Sequence, residues 1–549
     1  MRKFTAALFM LCAAFGTRAQ SENTPYVKPK LVVGIVVDQM RYDYLTRFWE
    51  RYGDGGFKRL INEGFNCRNN HFNYIPTYTG PGHASVYTGT TPSMHGIIGN
   101  NWYDKENDEM VYCAGDDTQQ SVGTTSKAGK MSPHRVKTTT VTDQLRLATQ
   151  LKGKVVGVAI KDRGAILPAG HAANAAYWFH GKDEGKWISS SYYMDELPKW
   201  VDKFNRSGKV KEYMTTWNTL YDIDTYAESG PDDNPYEGKF KGEKTPTFPH
   251  KLKKLEKHNG GYDILKSTPY GNSLTADFAL AAIDGEELGQ DDITDFLALS
   301  FSCTDYVGHQ FGVNSKEAED TYLRLDRDLA RLLSELDKKV GKGEYTVFLT
   351  ADHGAVHVPA YLQSLKIPAG YFNILDFTVH VKNFAREKYN VDGLISNISN
   401  GQIFIDHTVA KEHDLNIRQI QEDLVEEIMQ YKDVEKAFTA SAFTGAEFTE
   451  RLTALLQRGY NQKRSGDVLY VLAPSVIVYS KTGSTHGSGL NYDTHAPFLL
   501  YGKGIKKGKS TVKETHINDI APTISALLGI GFPSGTTGKP VFEALEIED

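Results

Sequence analysis

The sequence has few cysteines, no surplus of positive charge and no apolar run long enough to span a membrane. Four cysteines in 549 residues exclude a disulfide-built scaffold. Lysine and arginine total 62 against 68 acidic residues, for a formal net charge of −6. That leaves no basic stripe for a polyanion, so no nucleic-acid partner is expected, and any anionic substrate has to be held by local cations. The most apolar stretch, Phe4–Phe15, is too short for a membrane helix. It follows Arg2 and Lys3 and precedes Thr17-Arg18-Ala19, so residues 1–19 read as a signal peptide cleaved near Gln20. A periplasmic or secreted protein without a membrane anchor is the expectation. Cys12 would leave with the signal, and bulky Leu11, Met10 and Phe9 before it argue against lipidation. Cys67 and Cys113 lie in polar, loop-like surroundings where an oxidising compartment can join them; Cys303, ending an apolar run, reads as a buried free thiol. Three unpaired thiols are the alternative.

What the chain does have is a series of strand-length apolar runs: Leu31–Val37, Lys154–Ile160, Phe296–Ser302, Tyr345–Thr350 and Pro497–Tyr501. Most are continuous rather than alternating, the mark of parallel strands buried on both faces. Helical patterns separate them. Lys316–Val340 places apolar residues at helical spacing, Thr139–Leu151 follows a threonine run that can cap it, and Asp519–Leu528 starts on an Asp and stops before Gly529. The expected fold is α/β, a doubly wound, mostly parallel central sheet flanked by helices. Two stretches interrupt the alternation, at about 165–270 and 362–479, and read as insertions capping one catalytic domain over residues 20–549. The second carries its own patterns at Ile417–Tyr431 and Val468–Val478. Tyr177, Trp178 and Trp187 in the first either line a substrate mouth or form a small core.

Function is signalled by where polar residues fall. Asp38 ends LVVGIVV, Asp305 and His309 follow FLALSFS, and Asp352 and His353 follow YTVFL. The carboxyl ends of parallel strands meet at one edge, where ligands bind. Buried carboxylates gathered there repel one another unless cations are present, and mixed carboxylate and imidazole donors suit zinc, with manganese or another divalent ion an alternative. Singly, each Asp reads as a helix or turn cap; the joint pattern is far more specific. Thr79-Gly80-Pro81-Gly82-His83 adds a threonine at a helix start, where backbone N–H groups favour an anion. A metal ion can activate such a hydroxyl as a nucleophile; the plain alternative is an N-cap.

In order, LVVGIVVDQM at 31–40, YTGPGHASVYTGTTPSMHGIIGN at 78–100, KDRG at 161–164, SCTDYVGHQFG at 302–312, LTADHG at 349–354, STHGS at 484–488 and NDIAPTISALLGI at 518–530 resemble the alkaline phosphatase superfamily, in particular exported bacterial phosphomonoesterases of the PafA type. The resemblance implies two zinc ions: one on Asp38, Asp352 and His353 that also contacts Thr79, the other on Asp305, His309 and His486. It implies a phosphothreonine at Thr79, an amide contact from Asn100 to a phosphoryl oxygen, and phosphoryl contacts from Lys161 and Arg163 that suit a monoester dianion. Substrates would then be small phosphate monoesters, hydrolysed broadly. A phosphodiesterase or nucleotide pyrophosphatase of the same superfamily is the nearest rival. Sulfatases need Cys or Ser in a segment that Thr79-Gly-Pro-Gly-His does not match, phosphoglycerate mutases conflict with the signal peptide, and a non-catalytic relative would not need all six ligand positions and Thr79. The oligomeric state stays open, with a monomer the simplest expectation.

Overall fold

A computed structural model describes residues 28–182 and 184–546; the leader expected over residues 1–19 lies outside them. A ten-stranded sheet runs through the chain in the order Lys509–His516, Phe65–His71, Phe498–Gly502, Tyr345–Thr350, Leu31–Val37, Asp295–Phe301, Val155–Ala159, Ala175–His180, Lys186–Ser190 and Ser121–Val122. From Tyr345–Thr350 to Ala175–His180 all neighbours are parallel. Every residue of Leu31–Val37, Asp295–Phe301 and Tyr345–Thr350 is buried, which is why their sequences are continuously apolar rather than alternating. Pro497–Tyr501 is realised as Phe498–Gly502, antiparallel to Tyr345–Thr350, so the sheet is mixed but mostly parallel.

Register positions the site. Val37 lies level with Phe301, Val36 with Thr350, and Ser300 with Ala159. Four adjacent strands therefore end almost flush, and the residues that follow them share one edge. The flanking helices form as expected, with one exception. Val141–Ala148 begins on a reciprocal cap, Thr140 Oγ1 accepting from Asp143 N (3.0 Å) and Asp143 Oδ2 accepting from Thr140 N (2.9 Å). Lys316–Leu336 is capped by Ser315 and followed by one wider turn, Asp337–Gly341. Asp519 does not cap Ile520–Leu528; its carboxylate accepts from the backbone of His516 (2.8 Å) and Lys539 (2.7 Å) instead.

The first expected insertion needs correcting at its start. Residues 175–190 are strands of the central sheet, short and set among polar loops that dilute their pattern. Their aromatics serve the main packing rather than a substrate mouth: Trp187 stacks on Phe278 (centroids 4.1 Å, 13°), and Tyr177 meets the same ring edge-on at 5.5 Å. The second stretch holds a four-stranded sheet, in the order Ile395–Ser399, Gln402–Ile405, Val468–Leu472, Val434–Thr439, under the helices Ile374–Tyr389 and Ile417–Ile428. It has its own core around Phe377, Val381, Ile403, Ile420 and Leu424. The strand expected over Val468–Val478 breaks at Pro474-Ser475, where proline offers no N–H and Ser475 takes φ 60°. Cys67 and Cys113 are not joined: one lies on the sheet strand Phe65–His71 in the main core, the other in a separate cluster with Trp102, and both, like Cys303, are buried free thiols. Among the described residues no helix is long and apolar enough to cross a membrane.

Candidate active site

The flush strand ends deliver Asp38, the helix Cys303–Phe311 with Asp305 and His309, the pair Asp352-His353, and Lys161 to Arg163 to one edge. Thr79 faces them as the first residue of the helix Thr79–Thr88, whose start has no side-chain cap from Tyr78. The helix can approach closely because residue 82 is glycine; a Cβ there would sit 2.2 Å from the Asp352 carbonyl oxygen. Thr79 Oγ1 lies 3.5 Å from His353 Nε2 and 3.4 Å from Lys161 Nζ. Asn100 Oδ1 accepts from Gly80 N at 2.7 Å, which turns its amide nitrogen free as a donor.

One group of possible ligand atoms, from Asp38, Asp352 and His353, lies within 4.8 Å of one another, and so does another, from Asp305, His353 and His486. His353 thus stands between the two sets, its ring stacked on His486 with centroids 3.4 Å apart. His309 joins the second set through Asp305, its Nε2 3.2 Å from Asp305 Oδ1. The ring nitrogens reveal the donor set. His309 Nδ1 meets the Ser484 carbonyl (2.7 Å), His353 Nδ1 the Gly354 carbonyl (2.9 Å) and His486 Nδ1 the Thr77 carbonyl (2.7 Å). A carbonyl only accepts, so each Nδ1 donates and a neutral ring leaves Nε2 as a bare lone pair. Those lone pairs face carboxylates: His353 Nε2 is 3.6 Å from Asp38 Oδ1 and 3.5 Å from Asp352 Oδ2, and His486 Nε2 is 3.6 Å from Asp305 Oδ1. Asp38 Oδ1 and Asp352 Oδ2 are buried without a hydrogen bond. Lone pairs turned on carboxylates in a buried pocket fit divalent cations.

Charge in the pocket agrees. Burial, then the neighbouring Asp352 charge, pushes the Asp38 carboxyl well above its ordinary range. Burial also opposes ionisation of Asp305, yet His309 and Lys161 hold it well below that range. Burial pushes down His353, and burial with two neighbouring imidazoles pushes down His486. Lys161 Nζ sits 2.7 Å from Asp38 Oδ2 and 2.5 Å from Asp305 Oδ2, and these carboxylates raise it despite burial. Lys161 is thus the ammonium that Asp38 and Asp305 share.

Arg163 stands beside this cluster, with Nη1 3.1 Å from the Tyr112 hydroxyl and Nε buried without a partner. Tyr112 hydrogen-bonds in turn to Asp162. Motif reasoning missed Tyr112 because a tyrosine on a short hairpin has no spacing signature; its only clue was lying twelve residues past Asn100 in the same loop region. It also missed Gln39, next to Asp38. His83 proves to be a support: its Nδ1 donates to Thr79 O (2.9 Å) and lies 3.3 Å from Asp352 Oδ2, and its Nε2 meets Ser300 Oγ (2.9 Å). His95 bonds Ser85, away from the cluster.

The chain is similar to known proteins over nearly all its length. The profile of the family "Type I phosphodiesterase / nucleotide pyrophosphatase" matches residues 32–497. The "Calcium-transporting ATPase" of Myroides odoratus is 48% identical, covering 99% of each chain. The "Alkaline phosphatase PafA" of Elizabethkingia meningoseptica is 47% identical over 94% of this chain and 95% of that one. A crystal structure of wild-type alkaline phosphatase PafA superposes with a TM-score of 0.91 at 46% identity, over 94% of this chain and 99% of that one. With the doubly wound sheet and the Asp and His edge already described, these matches establish that the chain belongs to the type I phosphodiesterase / nucleotide pyrophosphatase family, among its PafA-type alkaline phosphatases.

Proposed function

We propose that the chain is an exported alkaline phosphatase, periplasmic or secreted, that hydrolyses a broad range of phosphate monoesters through a phosphothreonine at Thr79. Two zinc ions would be held, one by Asp38, Asp352 and His353, the other by Asp305, His309 and His486. The observation that carries this reading is the set of three imidazoles whose Nδ1 atoms are bonded to carbonyls while their Nε2 atoms face buried carboxylates beside Thr79 Oγ1. When bound, the ions supply Lewis acidity at both apical oxygens of an in-line displacement.

The chain's own groups do the rest. Thr79 Oγ1 gives up its proton to solvent and attacks phosphorus, the bond from phosphorus to the ester oxygen breaks, and the leaving oxygen departs with the electron pair and takes a proton from solvent to become the alcohol. Water then attacks the phosphothreonine in line, releasing phosphate and returning the hydroxyl. Asn100, whose Oδ1 is engaged by Gly80 N–H, has its amide N–H groups for a phosphoryl oxygen. Lys161 Nζ, 3.4 Å from Thr79 Oγ1, and Arg163, with its unpartnered Nε, supply the cations that a dianion needs on its non-bridging oxygens. A diesterase preference is the second reading, favoured by the description of the matching family. Turnover of an aryl phosphate against its methyl diester on zinc-replete protein separates them: the monoester is expected to be faster, and a diester preference would overturn the reading.

A further inference from the structure

Gln39 follows Asp38 and is 3% exposed, with φ 62°. A left-handed backbone at a buried residue with a side chain is a strained conformation that its surroundings must hold. Here it coincides with two bonds. The Gln39 main-chain N–H donates to Asp352 Oδ1 at 3.0 Å, and Gln39 Nε2 donates to Asp305 Oδ1 at 2.8 Å. The Gln39 carbonyl accepts from the Tyr322 hydroxyl at 3.3 Å, which fixes the turn from the helix Lys316–Leu336. Across from the amide, a Cβ on residue 308 would fall 1.8 Å from Gln39 Oε1. Glycine within Asp305-Tyr-Val-Gly308-His309 therefore makes the room that the Gln39 side chain fills. One residue ties Asp352, in one ligand set, to Asp305, in the other.

We propose that Gln39 is a positioning residue that fixes the Asp305 carboxylate for the second cation and links the two ligand sets. The proposal rests on the two-metal reading above. Lys161 Nζ holds Asp305 Oδ2 and Gln39 Nε2 holds Oδ1, so the two donors together set the turn of the carboxylate about its Cβ–Cγ bond, and losing such an outer partner weakens a metal site about 10- to 100-fold. The two bonds separate in a variant. Gln39→Met keeps the length and removes the amide donor. Gln39→Gly removes the donor and also relieves the left-handed strain, so it tests the proposal should the methionine variant fold poorly. Both keep the main-chain N–H that serves Asp352.

The test is stepwise zinc affinity, read by competition with a chromophoric chelator on the full chain, with His309→Ala marking the step that belongs to the second set. Both Gln39 variants are expected to weaken that step about tenfold or more and to leave the other step within about twofold, since its partner is the backbone. Unchanged affinities in both variants, or equal weakening of both steps, would overturn the proposal. Wild-type protein that binds fewer than two zinc ions would overturn the two-metal reading itself, and that result is read before any variant is made.

Discussion

The strand edge and the flank each hold a buried cluster of carboxylates and histidines, and they solve the same electrostatic problem in opposite ways. In the flank, His250 lies between Glu243 Oε1 (Nδ1, 2.9 Å) and Glu317 Oε1 (Nε2, 3.1 Å). A carboxylate on each side favours a proton on both ring nitrogens. Burial works against that imidazolium, yet the two glutamates push it up to about 9. Glu237 nearby, pushed up to about 10 by burial and then by the Glu317 charge, keeps its own proton. Protons on His250 and Glu237 thus reduce that cluster's negative charge from within, leaving one imidazolium against two glutamates. At the strand edge, each histidine instead spends its Nδ1–H on a backbone carbonyl, and His353 and His486 are held neutral by burial. Composition does not separate an ionic brace from a metal site. The ring nitrogen bonded to the backbone does, because it decides whether the other one is a donor or a ligand.

An edge cluster that worked without cations or without Thr79 would differ from the flank in nothing but its hydrogen bonds. Chelation is expected to remove metal and activity together, and Thr79→Ala to lose about a thousandfold or more in kcat while binding zinc as the wild type does. Metal-free protein with full turnover would put the edge in the same class as the flank. The flank has the next largest effect. His250 titrates near 6.5 unfolded and about 9 folded, so its contribution is fully present below pH 6.5 and is lost as pH rises through about 9. His250→Gln is expected to cost a few kcal/mol at pH 6, with the gap to wild type closing by pH 10 in thermal melts. A gap that stays constant with pH would mean that His250 is neutral, like the edge histidines.

Arg163 sharpens the contrast from the substrate side. Its Nε is a buried donor awaiting an acceptor, whereas both N–H groups of His250 already have one. Arg163→Ala is expected to slow monoester hydrolysis about 10- to 100-fold more than diester hydrolysis; equal losses on both substrates would make it a structural residue.

The sequence made the edge readable and left its supports hidden. Asp38, Asp305 and Asp352 stood out because each follows an uninterrupted apolar run, and strands buried on both faces admit no other pattern. His486 had no such run before it. Its Nδ1 depends on the Thr77 carbonyl, a contact between residues 409 apart in the chain, and only the family resemblance pointed to it. Gln39 was invisible because an amide beside an Asp carries no signature; its role lies in a left-handed turn and a glycine on another helix. The strands at 175–190 were lost among polar loops, and the suggested Cys67–Cys113 pair assumed loop surroundings for thiols that lie in separate cores. What sequence patterns miss in this chain is what depends on packing between distant segments.

Tyr112 is such a support, and it gives the smallest of the expected effects. Its hydroxyl bonds Asp162 and accepts from Arg163 Nη1 at 3.1 Å, while burial and the Asp162 charge push its ionisation well above the ordinary range, so the phenol stays protonated. The same hairpin end bonds Asn100, the other residue proposed to meet the phosphoryl group, Cys113 N donating to Asn100 O at 2.9 Å. Tyr112→Phe leaves the Arg163 charge in place and removes only what orients it. A misaimed cation loses part of its advantage with a dianion, so a drop of about three- to tenfold in monoester kcat/KM is expected, with diester turnover nearly unchanged. In an Arg163→Ala background the same substitution should cost nothing further, because there is no guanidinium left to aim. An undiminished loss in that background would mean that Tyr112 acts on the hairpin and Asn100 instead, and the edge would then hold its substrate through Asn100 more than through Arg163.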